Sequence, residues 1–436
     1  MRQKGKESNN GKGEALFTRR DFVKTSLAGA TALMIGSPLM PSKAKAEKPI
    51  KLGLFGVCSG ASAMAGEHAL KAAQLWAEEL NSKGGLLGRQ IEVTQRDTSN
   101  KPEEAVRFAR EFAASGDVDF IFAHGSSAEA FAIASASKEL KRLMFASSEA
   151  VDLTADPKVR SPYCVRITYN SLFTGIVQGK FAAKISKELG LTRWYTIAGD
   201  YAFGRDSVNY FIEFLKKDNP KVEVVGQAWP KLFEPDFTPQ ITAILGAKPH
   251  AVYSAHFAGD VITFIKQGMM YGLFEKSKFV MKDVINYEVI NALIQSLGKF
   301  PAGLYAGTQY LNGIPDTKAN QDFNNAFLKR FGIYPIVYSA NFYTGLLLLE
   351  EAVKKAKTTE NEAVIRAIKD LSIKAPIGTG SNSMVTMRGR DNQLINYAVG
   401  CGVTMSEAPY LKNIVYASWD EIMKDENTWM KNKGYL

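Results

Sequence analysis

The sequence predicts an α/β protein of two lobes, each a parallel sheet with helices on both faces. Three observations point there. Short apolar runs alternate with stretches of helical periodicity from Pro49 onward. Each β-α unit has the length of a crossover connection, which parallel neighbours require. The alternation also restarts after Tyr169, and two such series imply two lobes. Composition agrees, since 436 residues that are 46% hydrophobic and 22% charged can bury a sizeable core.

In the first series Ile50–Val57 reads as a buried strand and Ser59–Gly66 as a loop of small residues. Glu67–Asn81 reads as a helix with Ala69, Ala72, Ala73, Trp76 and Leu80 on its apolar face. The turn Lys83-Gly84-Gly85-Leu86-Leu87-Gly88 leads into strand Gln90–Asp97. Pro102 opens a helix to Ser115 that keeps Ala105, Phe108, Ala109 and Phe112 on one side. Strand Asp119–Ala123, helix Ser126–Leu140 and strand Leu143–Ala146 close the series.

The second series reads helix Leu172–Leu189, strand Arg193–Ala198, helix Gly204–Asp218, strand Lys221–Trp229 and helix Thr238–Gly246. Strand Ala251–Ser254, helix Asp260–Tyr271 and strand Lys278–Lys282 complete it, with Asp260 read as a helix cap. A third run holds strand Gly303–Thr308 and helices Asn320–Phe331, Ser339–Lys357 and Glu362–Leu371. Strand-like pieces at Ser383–Met387 and Leu394–Val403 then flank a hairpin turn at Arg388-Gly389-Arg390-Asp391, and 409–436 reads as a polar, aromatic C-terminal tail.

Residues 1–46 read as an address rather than as fold. Arg19 and Arg20 precede an apolar run from Ser26 to Met40, and Ala44-Lys45-Ala46 closes it as an A-x-A cleavage pattern. The run is too short, and too broken by Gly29, Gly36 and Pro38, to cross a bilayer. Paired arginines before a weakly apolar core resemble a twin-arginine export signal, which implies export to the periplasm. The segment also holds nine Lys/Arg against three Asp/Glu, so the formal charge of +10 shrinks to 45 basic against 41 acidic residues beyond it. Nucleic acid therefore loses its main support as a partner. The three cysteines, Cys58, Cys164 and Cys401, sit in strand-like contexts and read as small core residues, with Cys164 and Cys401 the one pair considered for a bridge.

Catalytic and cofactor motifs do not emerge. The four histidines lack the i, i+4 spacing of a zinc helix, no C-x-x-C occurs, and neither a phosphate-cradling lysine loop nor G-x-S-x-G is present. Pairs such as Glu78/Glu79 and Glu350/Glu351 fall on amphipathic helices and read as solvated faces. No metal, cofactor or enzymatic activity is expected, and binding suits this pattern better than catalysis.

Several stretches resemble the branched-chain amino-acid-binding proteins of ABC importers, type I periplasmic binding proteins. Ile50-Lys51-Leu52-Gly53 with Ser59-Gly60 resembles the family's first strand and loop. Asn81-Ser82-Lys83-Gly84-Gly85-Leu86-Leu87-Gly88-Arg89 resembles its most recognisable turn, and Gly199-Asp200-Tyr201-Ala202-Phe203-Gly204 and Asp236-Phe237-Thr238-Pro239 resemble two further segments. The resemblance implies two Rossmann-like lobes joined by three crossovers, near Thr168–Tyr169, Tyr305–Thr308 and Gly378–Ser381. Lobe 1 would hold 47–168 and 306–378, and lobe 2 would hold 169–305 and 379–408.

The resemblance also implies a ligand between the lobes. Helix N-termini at the carboxyl edge of the sheets favour an anion such as an α-carboxylate. Ser127, Ser147 and Ser148 fall where the family binds that carboxylate, although plain capping would also explain them. Asp283 falls where the family binds the ammonium, and could equally cap a helix or pair with Lys282. Phe203 and Phe257 stand at cleft positions where the family has hydroxylated rings, and either could be ordinary packing. Two departures matter. Ala61, Ala63 and Ala65 leave open the space of a covering aromatic, and Glu149 replaces a small residue and would repel a bound carboxylate unless it turns away.

The expectation is thus an exported, monomeric solute-binding protein that hands a small amino-acid-like molecule to an ABC permease. Amides, urea-like compounds and aromatic acids stay open as ligands. A ligand-sensing receptor module is the alternative role.

Overall fold

A computed structural model describes residues 48–436 apart from Asp117. The export features Arg19, Arg20 and Ala46 lie outside the described residues. Lobe 1 begins with β1 (Ile50–Gly56), α1 (Ala63–Asn81), β2 (Ile91–Asp97), α2 (Pro102–Ser115) and β3 (Phe120–His124). It continues with α3 (Ser127–Leu140), β4 (Met144–Ser147), the single-turn α4 (Asp152–Ala155) and β5 (Cys164–Arg166). Local chemistry sets these elements. Pro102 at the start of α2 loses no helical hydrogen bond, Glu103 and Glu104 oppose the positive helix end, and Gly116 ends it at φ 63°. In the turn after α1, Gly85 has φ 87° and a Cβ there would lie 1.9 Å from the Arg89 carbonyl oxygen, so only glycine fits.

Lobe 2 contains α5 (Ser171–Leu189), β6 (Arg193–Ala198), α6 (Ala202–Asp218), β7 (Glu223–Ala228), α7 (Thr238–Ala247) and β8 (Ala251–Ala255). Then come α8 (Gly259–Met270), α9 (Leu273–Lys276), β9 (Lys278–Met281), α10 (Tyr287–Leu297) and β10 (Tyr305–Gly307). The chain returns to lobe 1 for α11 (Lys318–Phe331), α12 (Val337–Ala356), α13 (Asn361–Ile368), β11 (Ser372–Thr379), β12 (Met384–Arg388) and β13 (Gln393–Ile395). It ends with β14 (Gly400–Thr404) and β15 (Leu411–Tyr416) in lobe 2 and with α14 (Trp419–Asn432).

The two sheets share one plan. Their orders are β11-β12-β13-β5-β4-β3-β1-β2 and β15-β14-β10-β9-β8-β6-β7. The strands β2-β1-β3-β4-β5-β13 and β7-β6-β8-β9-β10 are parallel; β12 and β11 then pair antiparallel at the edge of the first sheet, and β14 and β15 at the edge of the second. Strand order reverses between β1 and β3 and between β6 and β8, the places where such sheets open a crevice at their carboxyl edge. Apolar layers hold the helices on. Phe122 stacks on Phe145 at 4.2 Å in lobe 1 and Phe211 on Tyr253 at 3.8 Å in lobe 2, all four rings buried. Burying each such ring contributes roughly 2–3 kcal/mol.

Several expectations need correction. The third passage between lobes runs at 396–399, not at Gly378–Ser381. Those residues form the β11–β12 hairpin turn, with Gly380 at φ 69°, so β12 and β13 belong to lobe 1. The supposed tail is fold: β15 pairs with β14, and α14 buries Ile422, Trp429 and Met430 in a core cluster that lobe 1 shares with α5 and α6 of lobe 2. α1 starts at Ala63, which shortens the small-residue loop. Helix α10, strand β5 and strand β11 join the list of elements. Cys164 in β5 and Cys401 in β14 lie in different sheets, all three thiols are free, and Cys58 is only half-buried.

The passages between lobes interlock. Tyr169, in the first, donates its hydroxyl hydrogen to the Gln309 carbonyl oxygen in the second, and its ring meets Tyr397 of the third edge-on at 4.7 Å. The Tyr397 hydroxyl accepts from the Asn170 N–H at 3.0 Å. Helix α14 adds a fourth tie. Asp425 pairs with Lys180 and Lys217 of lobe 2 at 2.6 Å each, while Glu426 pairs with Arg388 of lobe 1 at 2.6 Å.

Candidate functional site

The carboxyl ends of both sheets face a cavity with about 880 Å³ of atom-free space, its mouth included. Ser127, Ser147, Ser148 and Glu149 line it from lobe 1, and Phe203, Phe257 and Asp283 line it from lobe 2. All seven ligand residues expected from the sequence therefore share one hollow.

Lobe 1 supplies a helix N-terminus. Ser126 caps α3: its Oγ accepts from the Glu129 N–H at 3.4 Å, and its own N–H donates to Glu129 Oε2 at 2.9 Å. This reciprocal box leaves the next residue, Ser127, at the first helical position, outside the capping contacts and on the cavity wall. The positive end of α3 and the Ser127 hydroxyl together present a corner whose electrostatics suit an anion. Ser148 accepts from the Ala150 N–H at 3.4 Å, a local turn contact, whereas Ser147 ends β4 and keeps to the wall.

The turn after β4 rests on a residue that the sequence reading passed over. Arg166, fully buried in β5, donates to the carbonyl oxygens of Glu149, Ala150 and Val151. Burial pulls its guanidinium down to about 10, still far above neutral pH. On the far side, Asp206 of α6 accepts from the Val151 N–H at 2.9 Å, a contact from lobe 2 to lobe 1.

Lobe 2 contributes the acid. Asp283 follows β9 and is 5% exposed; Oδ1 accepts from Gln309 Nε2, and Oδ2 has no hydrogen-bond partner. Burial drives its carboxyl up to about 7, the Lys282 ammonium pulls it back down, and the Glu149 charge pushes it up again. The sequence's difficulty with Glu149 is resolved here. Its Oε2 lies 2.5 Å from the ammonium of Lys282, which is 1% exposed, so the charge is neutralised across the cleft. Lys282 also stands 3.6 Å from Asp283 Oδ2 and 4.0 Å from the centre of the Phe203 ring.

Aromatic rings make the rest of the wall. Tyr201 stacks near Phe203 at 5.6 Å, Phe203 meets Phe257 at 6.4 Å, and Phe257 meets Tyr338 of α12 at 6.0 Å. Tyr338 supplies from lobe 1 the aromatic that the alanine loop lacks, while Ala65 lines the hollow beside it. Ala258 borders the cavity at φ 49° and ψ −125°, a conformation that costs an L-residue about 1–3 kcal/mol. Asp260 does not cap α8; its carboxylate accepts from the Phe233 N–H at 3.1 Å and ties a mouth loop to lobe 2.

Arg166, Lys282, Gln309, Tyr338 and Asn341 escaped the sequence reading. Asn341 had a signal, a lone amide on a helix face otherwise apolar; it is 2% exposed, donates to Thr168 Oγ1 at 2.8 Å and lines the cavity. The remaining four come from passages, strand ends or a helix start whose proximity only the topology creates.

Known proteins share this plan. The family described as periplasmic binding protein matches residues 49–399. The chain is 23% identical over 360 residues to the Leu/Ile/Val-binding protein homolog 7 of Brucella melitensis, covering 79% of this chain and 86% of that one. Among solved structures it resembles the amino acid ABC transporter substrate-binding protein of Pseudomonas fluorescens Pf-5, with a TM-score of 0.74 at 21% identity over 86% of this chain and 97% of that one. It also resembles a solute binding protein of an ABC transporter from Rhodopseudomonas palustris BisB5 in complex with 3,4-dihydroxy benzoic acid, with a TM-score of 0.72 at 23% identity over 84% and 95%.

Proposed function

The chain belongs to the periplasmic binding protein family, and from that premise we propose that it is the solute-binding component of an ABC importer. It captures a small amino-acid-like solute in the interlobe cavity, releases it unchanged to a permease, and acts as a monomer after twin-arginine export to the periplasm. The carrying observation is the pair of opposed polar ends across one hollow: the α3 N-terminus with Ser127 on lobe 1, and on lobe 2 Asp283, whose Oδ2 makes no hydrogen bond and has Lys282, already held by Glu149, at 3.6 Å. An α-carboxylate suits the first and an ammonium suits the second, and a ligand touching both stabilises the closed arrangement. Aromatic walls accept the remaining apolar part.

A second reading has its own support. Five phenylalanine and tyrosine side chains line the cavity, and one structural relative holds 3,4-dihydroxy benzoic acid, so an aromatic acid without an ammonium is the competing solute. Isothermal titration of the mature protein with leucine and with benzoate tests the choice. Stoichiometric heat with leucine and none with benzoate supports the amino-acid reading; the reverse overturns it.

A further inference from the structure

We propose that Lys282 sets the charge class of the solute, acting as a positioning residue through Glu149 and Asp283. This rests on the reading of the cavity as an amino-acid site. Lys282 is not part of the wall. It lies behind it and touches three of its members: the Glu149 carboxylate, the Asp283 carboxylate and the Phe203 ring.

The charges around the ammonium can be followed one by one. Glu149 and Asp283 are the charged side chains of the wall among the described residues. Arg166, beneath Glu149, directs its donors to backbone carbonyls and not to the carboxylate, and Asp206 accepts from a backbone N–H. His124, the remaining titratable side chain of the wall besides two tyrosines, is held neutral, its pKa lowered to about 4 by burial. With Lys282 tied to Glu149, one uncompensated negative charge remains, on Asp283. One ammonium satisfies it, and the α3 N-terminus takes one carboxylate. A solute of zero net charge fits; a second cation or a lone carboxylate does not.

Removing either partner should shift that balance in opposite directions. In Glu149→Gln, the nearest acid left to Lys282 is Asp283, so the wall loses its free negative charge and no longer favours an ammonium. In Lys282→Met, Glu149 is released into the cavity and a second ammonium gains a partner. The double variant Glu149→Gln/Lys282→Met removes both charges and restores the original balance, a replacement that buried pairs tolerate well.

The test is isothermal titration of the mature wild type and the three variants with leucine, with isocaproate (the same skeleton without the ammonium) and with ornithine. Glu149→Gln is expected to move the leucine-to-isocaproate affinity ratio toward isocaproate by about tenfold or more, and Lys282→Met the leucine-to-ornithine ratio toward ornithine by a similar factor, with the double variant moving both ratios back toward the wild-type values. Ratios that stay within about twofold in Glu149→Gln while leucine still binds overturn the role of Lys282 and leave the amino-acid reading intact. A wild type that binds none of the three overturns the amino-acid reading itself. Should Lys282→Met fail to fold, Glu149→Gln and the double variant still decide the question.

Discussion

Replacing Asp283 by asparagine should make the empty protein more stable while destroying the site. The carboxyl sits at about 7 because burial disfavours its charged form, against about 3.9 for an aspartate in water. Between those values the folded chain keeps a proton that the unfolded chain has released. Stability therefore falls as pH rises through that window and levels off above it. The gap of about three pH units corresponds to roughly 4 kcal/mol, and an amide, which cannot ionise, avoids that cost. The amide oxygen introduced by Asp283→Asn can still accept from Gln309 Nε2, so the hinge contact survives. Denaturant unfolding of both proteins should show the variant ahead by a few kcal/mol near pH 8, with the gap closing near pH 4. Asp206 and Asp260, both raised to about 6, and Glu288, raised to about 7, tilt both profiles alike, so the difference isolates Asp283. Leucine affinity should meanwhile drop by about 2 kcal/mol or more, since the ammonium loses its counter-charge in a desolvated cleft. A stability gap that is the same at both pH values would refute the reasoning.

In the wild type, leucine affinity should fall about tenfold for each pH unit below about 7, because binding requires ionised Asp283; calorimetry that finds a flat profile removes that requirement. Arg166→Met should lower unfolding stability by about 2 kcal/mol, since the carbonyl oxygens of Glu149, Ala150 and Val151 each keep a backbone N–H donor but lose their charged one, and a loss below about 1 kcal/mol would show that the turn holds itself. The adjacent serines should separate by role. Ser126→Ala should cost about 1 kcal/mol of stability through the lost cap, with affinity nearly kept. Ser127→Ala should leave the melting temperature within about 2 °C and weaken leucine by about tenfold, and equal effects at both positions would contradict the assignment.

The alternating core was legible because strands buried on both faces read as continuous apolar runs, as in Phe120–His124 and Ala251–Ala255. What escaped had physical causes. β5 has only three residues, too few for a pattern. β11 contains Pro376, which argues against a central strand and is tolerated because β11 lies at the sheet's edge. α10 carried a helical signal in Val289, Ile290 and Leu293 that was readable and overlooked. At the site, the residues following strand ends came from the family resemblance, which supplied positions that periodicity alone does not single out. Lys282 was seen only as a neighbour of Asp283, because its decisive partner, Glu149, is 133 residues away on the other lobe.

The last helix bears on how far the jaws can part. Asp425 and Glu426 are consecutive on one rigid rod, yet each is moored by short ionic contacts to a different half of the molecule. A swing of the halves cannot leave both moorings untouched: the rod must travel with one half and strip a largely buried carboxylate from the other, or tilt to share the strain. Under the proposed hinge motion α14 would thus limit how far the halves open, and a chain cut before Trp419 would open wider than the intact one.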